Sequence, residues 1–220
     1  GSADVGCEPN GMHMEGNTIF LALDGQSGGN DIIAIFQIQG QYTQMQGDFT
    51  IQDSTDPGDD WMTAGSFSEI TGLVRLGQSG NFVVVVGTSA ADGLLALVDP
   101  QGGNIVDMTP GVPGNVIKLS TFGAVPLDKA PGGLAVYFDP MNNNYQLFVA
   151  EQETSSANTA TIVKLTYDSS NGAVFVKGVE ITLATNPGFS ALAYDSVNKT
   201  LIGSAPDMNN KENLIQVIAT

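Results

Sequence analysis

The chain has 220 residues, with seven Lys+Arg against 23 Asp+Glu for a net charge of −16, and it carries 27 Gly and 10 Pro. That balance repels phosphate backbones and anionic lipid surfaces, so it argues against a nucleic-acid partner, and no apolar run approaches the length of a transmembrane segment. One all-β domain of this length can bury a substantial core, turns are plentiful, and no stretch holds a helical period.

Residues 1–8 read as an N-terminal tail or a closing strand, with residues 3–7 the part that could pair. Cys7 is the only cysteine, so the sequence allows neither an internal disulfide nor a thiolate metal cluster, and it reads as an incidental thiol near a terminus. A first unit, about 9–60, opens on Asn10-Gly11-Met12-His13-Met14. It continues through strands at 18–23 and 31–38, joined by a Gly-rich hairpin, and closes with a strand at 48–52. The most acidic loop follows, Asp53-Ser54-Thr55-Asp56-Pro57-Gly58-Asp59-Asp60-Trp61.

The second unit, about 61–115, opens on Thr71-Gly72-Leu73-Val74-Arg75. Its run Phe82-Val83-Val84-Val85-Val86 suits a strand buried on both faces. A third strand at 94–98 and an outer strand at 104–108 complete it. The third unit, about 116–184, begins with a short extra strand at 116–119. It then repeats the pattern at 132–136, 145–150, 161–167 and 173–183, the last after an Asn171-Gly172 hairpin signal. The fourth, about 185–220, has strands at 189–194, 200–203 and 213–218 and lacks an outer one.

The openings recur about every 55 to 60 residues. The fold read from this pattern is all-β: residues 9–220 form a single β-propeller-like array of about four antiparallel four-stranded blades, part of a larger ring if four do not close one. An uncovered blade edge invites pairing, so some partner or segment is expected to cover it.

The last unit carries Pro187-Gly188, Ala193-Tyr194-Asp195, Asn198-Lys199-Thr200-Leu201-Ile202 and Asn213-Leu214-Ile215-Gln216-Val217. In these residues it resembles the NHL and YVTN class of β-propeller repeats. The third unit is similar in Pro131-Gly132-Gly133-Leu134-Ala135-Val136, Phe138-Asp139-Pro140 and Leu147-Phe148-Val149-Ala150. The first two match in pattern only, and Arg75 stands where that class prefers an apolar residue. The resemblance implies a propeller. It implies little about activity, because such folds host binding, scaffolding and hydrolysis alike.

No catalytic residue is singled out. His13 is the only histidine, it alternates with Met12 and Met14 on an inner strand, and it reads as packed or channel-lining rather than as a base. P-loop and dinucleotide fingerprints are absent. Propeller topology places the loops between second and third strands on the same rim as the connections between units. Trp61, Asp24, Asp31, Glu151 and Asp207 are therefore the candidate ligand-binding residues, with Trp61 able to stack on a sugar or peptide. Asp53, Asp56, Asp59 and Asp60 are candidate metal ligands, with calcium the cofactor such oxygens would take, although their spacing is not that of an EF-hand. Asn198-Lys199-Thr200 is an N-glycosylation sequon.

The function expected from these residues is a non-catalytic extracellular or cell-surface module. It would bind a protein or glycan partner, or self-associate through the open blade edge into a surface structure. The alternative is a calcium-dependent hydrolase of the lactonase or esterase kind, weakened by the apolar inner strands.

Overall fold

Short β-branched runs punctuated by Gly, Asn and Asp favour strands over helices. A computed structural model of the chain describes residues 7–25, 32–51, 68–77, 80–88, 93–106, 117–119, 131–151, 159–168, 174–184, 189, 191–206 and 213–219, and its named elements are all strands. No helix among the described residues is long and apolar enough to cross a membrane.

The strands form four antiparallel meanders. Sheet one is β1 (Cys7–Glu15), β2 (Thr18–Gly25), β3 (Ile32–Gln39) and β4 (Tyr42–Thr50). Sheet two is β5 (Ser68–Arg75), β6 (Phe82–Thr88), β7 (Leu94–Val98) and β8 (Ile117–Lys118). Sheet three is β9 (Pro131–Asp139), β10 (Asn144–Glu151), β11 (Thr159–Asp168) and β12 (Val174–Ala184). Sheet four has three described strands, β13 (Ala191–Asp195), β14 (Thr200–Pro206) and β15 (Asn213–Ala219).

Three details differ from the sequence reading. The pairing of Cys7 with Gly25 makes Cys7 the start of β1, so the part of the 3–7 stretch that is described belongs to sheet one and does not complete sheet four. The outer strand of sheet one spans Tyr42–Thr50 rather than 48–52, because its first five residues are all exposed and carry little apolar signal, while Phe49 near its end packs on the first core. In sheet two the outer partner of β7 is β8, so the second unit runs past residue 115; of the expected strand over 104–108 the described part, 104–106, carries a single Val98–Ile105 bridge, and residues 107 and 108 lie outside the described residues.

Alternate residues of sheets two and three face two neighbours and those of sheets one and four face one, and three separate cores result. Phe20, Ala22 and Ile33 of sheet one meet Ile70, Leu73, Phe82, Val84 and Ala96 of sheet two. Val74, Val83, Leu95 and Leu97, on the opposite face of sheet two, meet Leu134, Leu147, Val149 and Leu165 of sheet three. Ala135, Phe148 and Ile162 on the far face of sheet three meet Leu201 and the preceding Phe189. Phe82, Val83 and Val84 are all fully buried because β6 is packed from both sides.

The first strands also touch in sequence, β1 on β5, β5 on β9 and β9 on β13. Glycine permits the approach: a Cβ at Gly11 would lie 3.1 Å from the Leu73 amide nitrogen, and one at Gly133 would lie 2.8 Å from that of Leu192. The approach at Gly133 leaves no place for a side chain, and that at Gly11 leaves one only if the neighbour gives, so these positions hold the sheets close. Among the described residues no comparable contact joins β13 to β1.

Candidate functional site

All four first strands end on a charged residue next to the hairpin that follows: Glu15, Arg75, Asp139 and Asp195. Two of these hold their own turns. Asp139 accepts from Met141 N at 3.0 Å and from Asn142 Nδ2 at 2.7 Å. Asp195 repeats the device, accepting from Val197 N at 2.9 Å and Asn198 Nδ2 at 2.6 Å. The Asn amides hold both carboxyls below the usual aspartate range, with backbone donors adding to the effect. Asn143 and Lys199 follow with φ of 50° and 53°, which turns the chain back into the second strand.

The other two meet across the joint between sheets one and two. Arg75 Nη1 donates to Glu15 Oε2 at 3.3 Å, and Arg75 Nε donates to the Gly80 carbonyl at 3.2 Å. The guanidinium lies over two rings, 5.1 Å from the centroid of Phe20 and 5.3 Å from that of Phe82, which themselves pack edge to face at 5.0 Å. A planar, weakly hydrated cation suits that slot. This explains how Arg75 replaces an apolar residue at this strand end.

His13 stands beside them, its ring stacked on Phe20 at 6.4 Å. Its Nε2 is 3.5 Å from Glu15 Oε1, at the outer edge of hydrogen-bond distance, so the atom is shielded from water with at best a weak partner. Burial pushes the His13 pKa below 6.5; Glu15 opposes the shift and Arg75 adds to it. A neutral imidazole whose Nε2 is sealed against phenylalanine and carboxylate cannot take a proton from a bound substrate. Its place is in the packing of the joint.

Few of the sequence candidates fall in described residues. Asp24 lies near the end of β2, opposite Glu8, and Glu151 ends β10, opposite Pro131. Both therefore sit where a second strand leaves its sheet, on the same rim and at the opposite end of the strands from Glu15 and Arg75. Trp61, Asp31, Asp207, Asp53, Asp56, Asp59 and Asp60 lie outside the described residues. Among the described residues no group of three or more His, Cys, Asp or Glu is placed to hold a metal ion. Sequence reasoning missed Glu15. Its signal was Arg75 itself, a cation in an apolar strand that requires a counter-charge from the equivalent strand end next door.

No protein-family model matches this sequence, and no curated protein matches it. Among solved structures, an α-L-arabinofuranosidase (CtGH43) from Clostridium thermocellum superposes with a TM-score of 0.56 at 15% identity, covering 98% of this chain and 68% of that one. The fold is a β-propeller. A bifunctional GH43-CE protein of Bacteroides eggerthii gives a TM-score of 0.49 at 10% identity over 94% of this chain and 23% of that one.

The arabinofuranosidase likeness corrects the expected function. The propeller reached by this comparison is a glycan-cleaving enzyme, neither a non-catalytic interaction module nor a calcium-dependent lactonase or esterase. Absence of Ser, His and Cys nucleophiles argued for a binding module, yet glycoside cleavage needs only a pair of carboxyl groups. The comparison also leads to a propeller outside the NHL and YVTN class. Among the residues that carried that resemblance, Asp195 and Asn198 form the side-chain-locked hairpin described above.

Proposed function

We propose that this chain is the propeller body of a glycoside hydrolase acting on α-L-arabinofuranosyl-type linkages outside the cell. The observation that carries the reading is the fold likeness to the arabinofuranosidase over nearly the whole chain. Hydrolysis of such a bond needs one carboxyl to protonate the leaving oxygen and a second to act as nucleophile or base. Asp24, Asp31, Glu151 and Asp207, which the sequence reading expects on one rim, are the pool from which that pair would be drawn. Trp61 would stack on the sugar face.

The test is release of arabinose from 4-nitrophenyl α-L-arabinofuranoside and from arabinose-substituted polysaccharide. Turnover is expected, with Asp24→Asn, Asp31→Asn, Glu151→Gln and Asp207→Asn made singly. Two of the four should lower kcat by about a hundredfold or more while binding persists. A folded chain that cleaves none of these substrates, or activity indifferent to all four changes, would overturn the reading.

A further inference from the structure

The hairpin of β3 and β4 departs from the acidic character of the chain. Residues 32–47 hold no charged side chain, and Gln37, Gln39, Gln41, Gln44 and Gln46 crowd its turn end. Gly40, at φ 62°, makes the turn tight and sets Gln39 opposite Tyr42 and Gln37 opposite Gln44. Thr18 of β2 extends the second pair, being the other partner of Gln37 in register. Alternate residues of a strand share a face, so Thr18, Gln37, Gln39, Tyr42 and Gln44 stand on the same side of sheet one as Phe20 and Ile35. They lie past that last core pair, toward the turns.

Tyr42 is 79% exposed, and Gln39 and Gln44 are exposed beside it. Thr18 Oγ1 donates to Gln37 Oε1 at 3.4 Å; among the described residues no ring packs on Tyr42, and the side-chain amides of Gln39 and Gln44 have no hydrogen-bond partner. An amide carries donors and an acceptor in one plane, a set that neighbouring hydroxyls of a sugar can meet, and a tyrosine ring offers a flat apolar face to sugar C–H groups. Opposed residues stand about 5 Å apart and the next pair about 7 Å along the strands, the scale of one or two sugar rings. Charge narrows the ligand further. A chain of net charge −16 repels polyanions, and residues 32–47 offer no counter-charge to an ion of either sign.

We propose that Tyr42, with Gln37, Gln39 and Gln44, forms a binding site for a neutral polysaccharide, separate from the carboxyl groups proposed for catalysis. That the polysaccharide bears arabinose rests on the function proposed above. Asp24 lies toward the far end of β2 from Thr18, about 20 Å away at the rise of an extended strand, and Tyr42 belongs to β4, the edge strand of the sheet. The site therefore holds the polymer and keeps the protein on it, and takes no part in breaking the bond.

Affinity electrophoresis of the full chain tests this, in gels containing soluble arabinoxylan or, as the anionic control, polygalacturonate. Arabinoxylan is expected to retard the wild type and polygalacturonate is not. Tyr42→Ala, and Gln39→Ala combined with Gln44→Ala, should each weaken the retardation, the tyrosine change by about tenfold in affinity. These side chains are exposed, and unchanged circular dichroism and melting confirm that the variants fold. Turnover of 4-nitrophenyl α-L-arabinofuranoside should be the same in Tyr42→Ala as in the wild type, while KM on arabinoxylan rises. A wild type that arabinoxylan does not retard, equal retardation by both polysaccharides, or a Tyr42→Ala variant that binds like the wild type overturns the proposal. So does a fall in turnover of the small substrate, which would place Tyr42 in the cleavage site. Self-association in light scattering that Tyr42→Ala abolishes, with no change in the gels, overturns it in favour of a second copy paired along β4. Retardation needs no turnover, so a chain that binds arabinoxylan but cleaves nothing supports this site while overturning the proposed hydrolase, and one that cleaves without being retarded does the reverse.

Discussion

Arg75 shows how a charged residue becomes part of a core. Its stem and guanidinium fill the slot between Phe20 and Phe82 while Glu15 neutralises it. Arg75→Ala should therefore cost about 2 kcal/mol, combining lost ring contacts with a half-buried carboxylate left unpaired. Chemical denaturation of Arg75→Ala, Glu15→Ala and the double variant should reveal coupling of the pair, and strict additivity would show that the contact contributes nothing. His13 titrates in the opposite sense to a partnered histidine. Because burial lowers its folded pKa below 6.5, the unfolded chain binds this proton first as the pH drops. Stability is therefore unaffected by this group above about pH 6.5, declines as the pH falls from there toward the folded pKa, and is flat again below it. Melting between pH 7.5 and 5 should show this decline in the wild type and a shallower one in His13→Gln. Glu15 had only the indirect signal of Arg75, and the sealed imidazole nitrogen had none, since both depend on which strand ends meet across a joint.

At the level of strands and hairpins, legibility followed side-chain chemistry. The inner three strands of each unit stood out because their apolar residues face packed neighbours. Tyr42–Thr50 did not, since Tyr42, Gln44 and Gln46 are all exposed, and only the hydrogen bonds to β3 identify it as a strand. The Asp-x-x-Asn hairpins were visible as turns, and the structure adds the reason, a side chain locked to side chain and backbone together. Replacing Asn142 or Asn198 by Ala should release Asp139 or Asp195 toward the ordinary aspartate pKa, which NMR titration of the carboxyl carbons would follow. An unmoved titration would exclude the amide as the main cause. Gly133→Ala is a stricter test of sheet spacing. Its Cβ would meet the backbone of Ala191 and Leu192, so sheet four must shift or detach, and a loss of about 1–3 kcal/mol is expected by thermal or urea melting.

Across the molecule, the repeat predicted the array while the acidic rim, read from loop composition, fell mostly on residues outside those described. The proposed function was less legible still, because the residue types that were missing are ones glycoside cleavage does not use. The three cores share no residue, so each joint is stabilised locally. Leu97→Ala in the second joint and Phe189→Ala in the third should each cost about 2–5 kcal/mol, and their effects should add. A double variant far from the sum, measured by denaturant unfolding, would mean that the joints communicate. The packing of β6 and β10 from both sides, against one packed face for β2 and β14, has a further consequence for how the molecule breathes. In deuterated solvent, amide protons of the middle sheets should persist longest, and protection should fade toward both ends of the array. Fraying would then begin at the terminal sheets, leaving the central pair as the last part to open.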